Sequence, residues 1–193
     1  GTSGVIVING ESYPVDFPIL GAQQFKGQAR KGNPTYVVIH NSAGSNAEDK
    51  VWSSLLNKGL GVHFTIGLDG TVYQHADPVK QIAWHASGMN TESIGIEIPM
   101  KFFGPVSKVQ GGAGFTLSEG VWWSSTSAEK GFTVPPQQMI DANNKLMSVL
   151  AAKIPSITPF LSTFPNNYPG PEKLKNREGT FGVKMWNKGG SWN

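Results

Sequence analysis

Apolar and polar residues divide the chain into short β-type runs and two helical stretches. The stretch from Gly4 to Gly32 opens on the weakly alternating VIVINGESYPV and then loses periodicity, which predicts a short hairpin followed by an arm. Tyr36-Val37-Val38-Ile39-His40 is a continuous apolar run ending on the polar cluster Asn41-Ser42-Ala43-Gly44-Ser45-Asn46, the pattern of a buried strand that hands His40 to a loop. Val51, Trp52, Leu55 and Leu56 then recur at helical spacing between Ala47 and Lys58, and Gly59 supplies a C-terminal cap. Val62–Gly67 and Thr71–Gln74 read as strands joined through Leu68-Asp69-Gly70, whose Asp-Gly pair is a hairpin signal. Ser93–Ile98 reads as a second central strand, and Glu97 breaks its apolar run.

Beyond Pro99 the pattern dissolves into a Gly- and Ser-rich stretch to Gly131, carrying Phe102, Phe103, Phe115, Trp122 and Trp123. It is too long for a plain connection and predicts a functional loop or lid. The stretch from Thr133 to Ile154 predicts a helix, with Thr133 as its cap, prolines in the first turn and Ile140, Leu146, Val149 and Leu150 as its apolar stripe. From Pro155 to Asn193 the chain again reads as loop. No internal repeat is visible.

Composition narrows this outline. A chain of 193 residues is one domain's worth of material, able to bury roughly 70% of the surface its unfolded form exposes. With 24 glycines, 13 prolines and 15% charged residues it predicts a loop-rich α/β domain. A net charge of +3 favours anionic polymers, yet Lys173, Lys175 and Arg177 are interrupted by Glu172 and Glu178, so there is no nucleic-acid footprint. Without cysteine, no disulfide framework and no thiolate ligand or nucleophile is available. Gly1-Thr2-Ser3-Gly4 does not read as a signal peptide but as a cloning scar or a cut point in a longer protein. No apolar run approaches the ~20 residues of a membrane span.

Four histidines and one strand carboxylate carry the candidate chemistry. His40, at a strand end, is either a structural residue hydrogen-bonded at the sheet edge or a metal ligand. Glu97 inside an apolar strand is either paired structurally or kept as an acid/base, because an unpaired carboxylate there costs several kcal/mol and responds by raising its pKa. Trp84 and His85 are either core and loop residues or the lining of a groove. His63 reads as a structural histidine of the sheet and His75 as a surface residue.

Taken in order, VVIHNSAG, GVHFTIGLDGTVYQ, IAWHASG and SIGIEI resemble the N-acetylmuramoyl-L-alanine amidase and peptidoglycan-recognition-protein superfamily. The resemblance covers roughly Tyr36 to Ile98 well and the helix from Thr133 to Ile154 less closely. It implies an α/β single domain with a central mixed β-sheet flanked by helices. It places an arm or hairpin at 1–35 and the amidase-like domain at 36–193, with an insertion at 101–132. It also implies a zinc-dependent hydrolysis of the amide between the lactyl group of N-acetylmuramic acid and L-alanine. In that scheme His40 is the first zinc ligand, Glu97 the general base, a lysine near the third ligand steadies the oxyanion, and Asn41, Trp84 and His85 border the substrate. In the phage lysozyme branch a tyrosine assists instead; the corresponding residue here is Val62, so the glutamate branch is the nearer match.

The C-terminal part departs from the family's pattern. Aligned on Pro169-Gly170, Phe164 stands where the second histidine ligand belongs, and no histidine follows His85. The third ligand is also missing at strict spacing, though an insertion of a few residues would bring Glu172 or Glu178 near, with Lys173 or Lys175 as the lysine. Three readings follow. The first is a metal-free relative that binds peptidoglycan or muropeptides. The second is an active amidase with zinc on a rearranged site of His40 and His85 with Glu97 or a C-terminal glutamate. The third is a structural or interaction domain of a phage or secretion particle, with a protein partner on the aromatic insertion. All three place the chain at the cell envelope, outside the cell or on a phage.

Overall fold

The computed structural model describes residues 4–25, 27–42, 47–86, 89–100, 103–105, 116–119 and 130–157. The chain opens with β1 (Gly4–Ile8) and β2 (Glu11–Val15), an antiparallel hairpin whose turn places Asn9 and Gly10 at positive φ (55° and 77°). Asp77 secures that turn from across the molecule. Its Oδ1 accepts from Asn9 N at 2.9 Å and its Oδ2 from Gly10 N at 2.7 Å, while Val79 N and Lys80 N also donate to Oδ1.

Next come β3 (Ile19–Gly21), β4 (Gln28–Ala29), β5 (Tyr36–Asn41) and helix α1 (Glu48–Asn57). The helix ends in a Schellman motif: Gly59 at φ 69° lets Leu60 N reach Leu55 O and Gly59 N reach Leu56 O. Strands β6 (Phe64–Ile66) and β7 (Val72–Gln74) form the hairpin that Asp69-Gly70 predicts, with Gly70 at φ 88°. They are followed by β8 (Gln81–Ile82), β9 (Ser93–Ile98), β10 (Phe103–Pro105), β11 (Thr116–Glu119), β12 (Lys130–Val134) and helix α2 (Gln137–Lys153).

The central sheet has the order β3-β7-β6-β9-β5. β5, β9 and β6 run parallel, β7 is antiparallel to β6, and β3 is parallel to β7. This is the mixed sheet with flanking helices that the resemblance implies. One face carries Phe64, Ile66, Val72, Ile94 and Ile96 into a core with Met139, Leu146 and Leu150 of α2 and with Ile6, Ile8, Val15, Phe17 and Ile19 from the N-terminal segment. Each fully buried aliphatic chain contributes about 1.5–3 kcal/mol. The other face meets α1 through Trp52, whose ring lies 5.1 Å from the rings of both Tyr73 and His75.

Three local expectations change. Thr133 is not a helix cap: it lies in β12 opposite Leu117, and α2 begins only after Pro136, because a proline holds its preceding residue extended. The buried stripe of α2 is accordingly Met139, Ala142, Leu146, Met147 and Leu150, with Ile140 only half-buried. Within the stretch predicted as loop, the described segments 103–105, 116–119 and 130–134 form a three-stranded antiparallel sheet, β10-β12-β11; residues 101–102, 106–115 and 120–129, with Phe102, Phe115, Trp122 and Trp123, lie outside the described residues.

Candidate functional site

Register puts the chemistry-bearing residues in one row. His40 on β5 pairs with Glu97 on β9, Glu97 with Thr65 on β6, and Thr65 with Tyr73 on β7. Side chains alternate along a strand, so these four project from the face opposite the α2 core, because their neighbours Ile96, Phe64, Ile66 and Val72 fill that core. Asn41 ends β5 opposite Ile98; its side chain lies outside the described residues.

The loop carrying Trp84 and His85 folds back over this row. Asn90 Oδ1 accepts from His85 N (2.9 Å) and Ala86 N (2.8 Å). The Arg30 guanidinium donates to Pro78 O, Thr91 O and Ser93 O, so one cation holds both ends of the segment against β9. The imidazole of His85 lies flat over Gly95, where an added Cβ would stand 2.7–2.9 Å from three ring atoms. A glycine inside an apolar strand signals such a close approach, and SIGIEI carries that signal. Trp84 is 38% exposed beside the site, and its carbonyl accepts from Gly61 N.

Hydrogen bonds fix the proton on each histidine. His63 Nδ1 accepts from Gly95 N at 3.0 Å and its Nε2–H donates to Gln81 O at 2.8 Å, the structural role its sequence setting predicts. His75 is not on the surface: it is 0% exposed, its Nδ1–H donating to Gln23 O and its Nε2 accepting from Thr65 Oγ1, each at 2.8 Å. Its partners lie 52 and 10 residues away in sequence, which no local pattern announces. His85 Nε2 lies 3.1 Å from Ser93 Oγ, and its Nδ1 lies 2.9 Å from His40 Nε2. Three histidines thus spend both ring nitrogens inside the protein. Only His40 Nδ1 makes no hydrogen bond to a described residue.

Burial sets the charges. It pulls His40, His63 and His75 down to about 4, and His85 further still with help from its histidine neighbours, so all four are neutral at pH 7. Glu97, 5% exposed, is pushed up to about 8 by burial and is mostly protonated at pH 7. The row is therefore uncharged at neutral pH.

Residues 30–160 match the sequence profile of the N-acetylmuramoyl-L-alanine amidases. The chain belongs to this family. Among solved structures it is similar to bumblebee PGRP-SA, at 17% identity over 74% of this chain and 78% of that one, with a TM-score of 0.50. It is also similar to the Ph2119 endolysin of a Thermus scotoductus bacteriophage (19% identity, 72% and 82% covered, TM-score 0.47). A third likeness is to a point mutant of Drosophila PGRP-LB in complex with tracheal cytotoxin (22%, 73% and 78%, TM-score 0.47). At these identities the likeness is one of fold. No curated protein sequence matches the chain.

The amidase family is typically zinc-dependent, and the described residues do not make a zinc site. No cluster of three or more His, Asp or Glu among them is arranged to hold a metal. His40 Nε2 and His85 Nδ1 face each other at hydrogen-bonding distance, 2.9 Å, with no third His, Asp or Glu of the described residues grouped with them. Phe164, Glu172, Lys173 and Glu178 lie outside the described residues. The sequence supplies no cysteine and no histidine there, so further ligands would have to be carboxylates, a poor match to the imidazole- and thiolate-rich sets of catalytic zinc.

Proposed function

We propose that this amidase-family chain recognises muropeptides of bacterial peptidoglycan in the groove over its β5-β9-β6 face without hydrolysing them. The observation that carries this reading is the count of free imidazole nitrogens: the chain has four histidines, and three use both nitrogens internally. The family's chemistry needs a metal held by several such groups. What the face retains suits binding: an exposed Trp84 to stack on a sugar or peptide, a neutral His40 and a protonated Glu97 to exchange hydrogen bonds, and Asn41 at the strand end. His85 would contribute through its carbon edge and by holding His40. The place of action is the cell envelope, outside the cell or on a phage, since that is where the polymer is met. Among the described residues no helix is long and apolar enough to cross a membrane.

A second reading is an active amidase, and Glu97 is the observation that favours it. A buried carboxyl titrating near neutrality beside an imidazole is the kind of group acid/base chemistry employs. In that case zinc would polarise the scissile carbonyl and activate water, with His40 and Glu172 or Glu178 to hold it and Lys173 beside them.

Elemental analysis of the purified protein and digestion of purified sacculi separate the two. Recognition predicts no stoichiometric zinc, saturable muropeptide binding by calorimetry, and no free stem peptide. One equivalent of zinc together with chelator-sensitive release of stem peptide would establish the enzyme instead.

A further inference from the structure

We propose that His85, anchored by Ser93, is a positioning residue that locks His40 in its Nε2–H tautomer, so that His40 Nδ1 meets the bound muropeptide as a hydrogen-bond acceptor for a peptide N–H. The inference rests on the muropeptide reading of the groove and assigns one atom of it a task.

The direction of the chain of hydrogen bonds follows from its far end. Ser93 Oγ lies 2.6 Å from the carbonyl oxygen of Met89. Two oxygens that close repel unless a proton lies between them, and a carbonyl has none to give, so the Ser93 hydroxyl donates there. Its remaining lone pairs face His85 Nε2 at 3.1 Å, which must therefore carry the proton. A neutral imidazole has one N–H, so His85 Nδ1 is bare, and the 2.9 Å contact to His40 requires that His40 Nε2 donate. His40 Nδ1 is left with its lone pair.

The lock is built into the fold at each step. Ser93 is fully buried, the loop from Trp84 to Asn90 is closed on itself by the Asn90 side chain, and Arg30 grips the carbonyl of Ser93. Gly95, lacking a Cβ, leaves the space that the His85 ring occupies against the sheet. None of these residues needs to touch a ligand for the arrangement to matter. On the proposed muropeptide-binding face, a neutral acceptor with no partner among the described residues is met by the peptide's own N–H groups, the donors a stem peptide offers in every residue but proline. The same lone pair would also take a metal ion, which is the competing occupant.

The test is a long-range 1H–15N correlation spectrum of the 15N-labelled, metal-free full chain, with and without a purified muramoyl pentapeptide. His40 should show a protonated Nε2 and a bare Nδ1, and saturation with the pentapeptide should move the Nδ1 resonance while His85 keeps its pattern. His85→Leu should give His40 as a mixture of tautomers and weaken pentapeptide binding by about three- to tenfold, the worth of one neutral hydrogen bond. His85→Asn, whose amide oxygen can stand where Nδ1 stood, should restore both. A proton on His40 Nδ1 in the wild-type protein overturns the proposal without any variant having to fold. An unchanged His40 in His85→Leu overturns it too, as does stoichiometric zinc on Nδ1. If the tautomers are as stated but the pentapeptide does not bind, the muropeptide reading and the acceptor role fall while the lock itself stands.

Discussion

The two faces of the central sheet are built on different principles. The face toward α2 is held by Phe64, Ile66, Val72, Ile94 and Ile96, and its contacts are non-directional: any well-filling aliphatic set would do. The face toward α1 carries Tyr73, Thr65, Glu97 and His40, and its order depends on which atom holds each proton. Two hydrogen-bond chains end there, one starting from Gln23 O through His75 to Thr65, the other from Met89 O through Ser93 and His85 to His40. Both begin at backbone carbonyls, which cannot reverse roles, so each chain leaves a lone pair at its far end, one on Thr65 Oγ1 and one on His40 Nδ1. Stability resides mostly in the first face, and the proposed recognition would use the second.

If that division holds, the largest stability loss lies on the apolar face. Leu146→Ala, at a fully buried position of α2, should cost about 2–5 kcal/mol in urea unfolding while leaving muropeptide affinity intact wherever the protein remains folded. A loss of affinity in the folded variant would show that the two faces are not separable.

Gly95→Ala makes the converse cut. Its methyl would meet the His85 ring at 2.7–2.9 Å, so the ring must lift away and the His40 contact must break. Overpacking of this kind costs about 1–3 kcal/mol. The informative result is the His40 tautomer and the pentapeptide affinity, which should change as in His85→Leu; if they do not, His85 is free to move and the lock is not set by the strand.

The contrast between the faces also governs what the sequence could disclose. The apolar face is legible because alternation and helical spacing are local: Ile94, Ile96, Leu146 and Leu150 announce themselves within a few residues. Glu97 is legible as the one polar interruption of a buried strand, and His40 by its place at a strand end. His75 is not, because what makes it an interior residue is a carbonyl 52 positions away, and a histidine after a strand looks the same on a surface. The start of α2 misleads for a nearer reason: Thr133 looks like a cap, but Pro135 and Pro136 keep the chain extended past it. Ser93 and Arg30 carry no local signal of their roles, which exist only once β9 and the Trp84 loop are brought together.

The smallest effect, and the one that isolates Glu97, is the pH profile of stability. The histidines have folded values near 4 or below against an ordinary 6.5, so the unfolded chain binds more protons between those limits and stability rises as pH climbs to about 6.5. Glu97 acts with the opposite sign. Its folded value of about 8 lies above the ordinary 4.5, so the native state holds the extra proton and stability falls with pH until that proton is lost. Below about pH 7 the four histidines outweigh the one carboxyl; above it the Glu97 effect exceeds theirs. The thermal midpoint should therefore be highest near pH 7 and decline above it, by on the order of 0.5 kcal/mol in stability. Glu97→Gln should abolish the decline and leave the acid limb in place, since an amide of the same shape has no proton to surrender. A decline that survives in Glu97→Gln would assign it to another group, and a wild-type profile without the decline would mean that Glu97 is ionised in the folded protein, as a bound cation beside it would require, and would return the active-enzyme reading to first place.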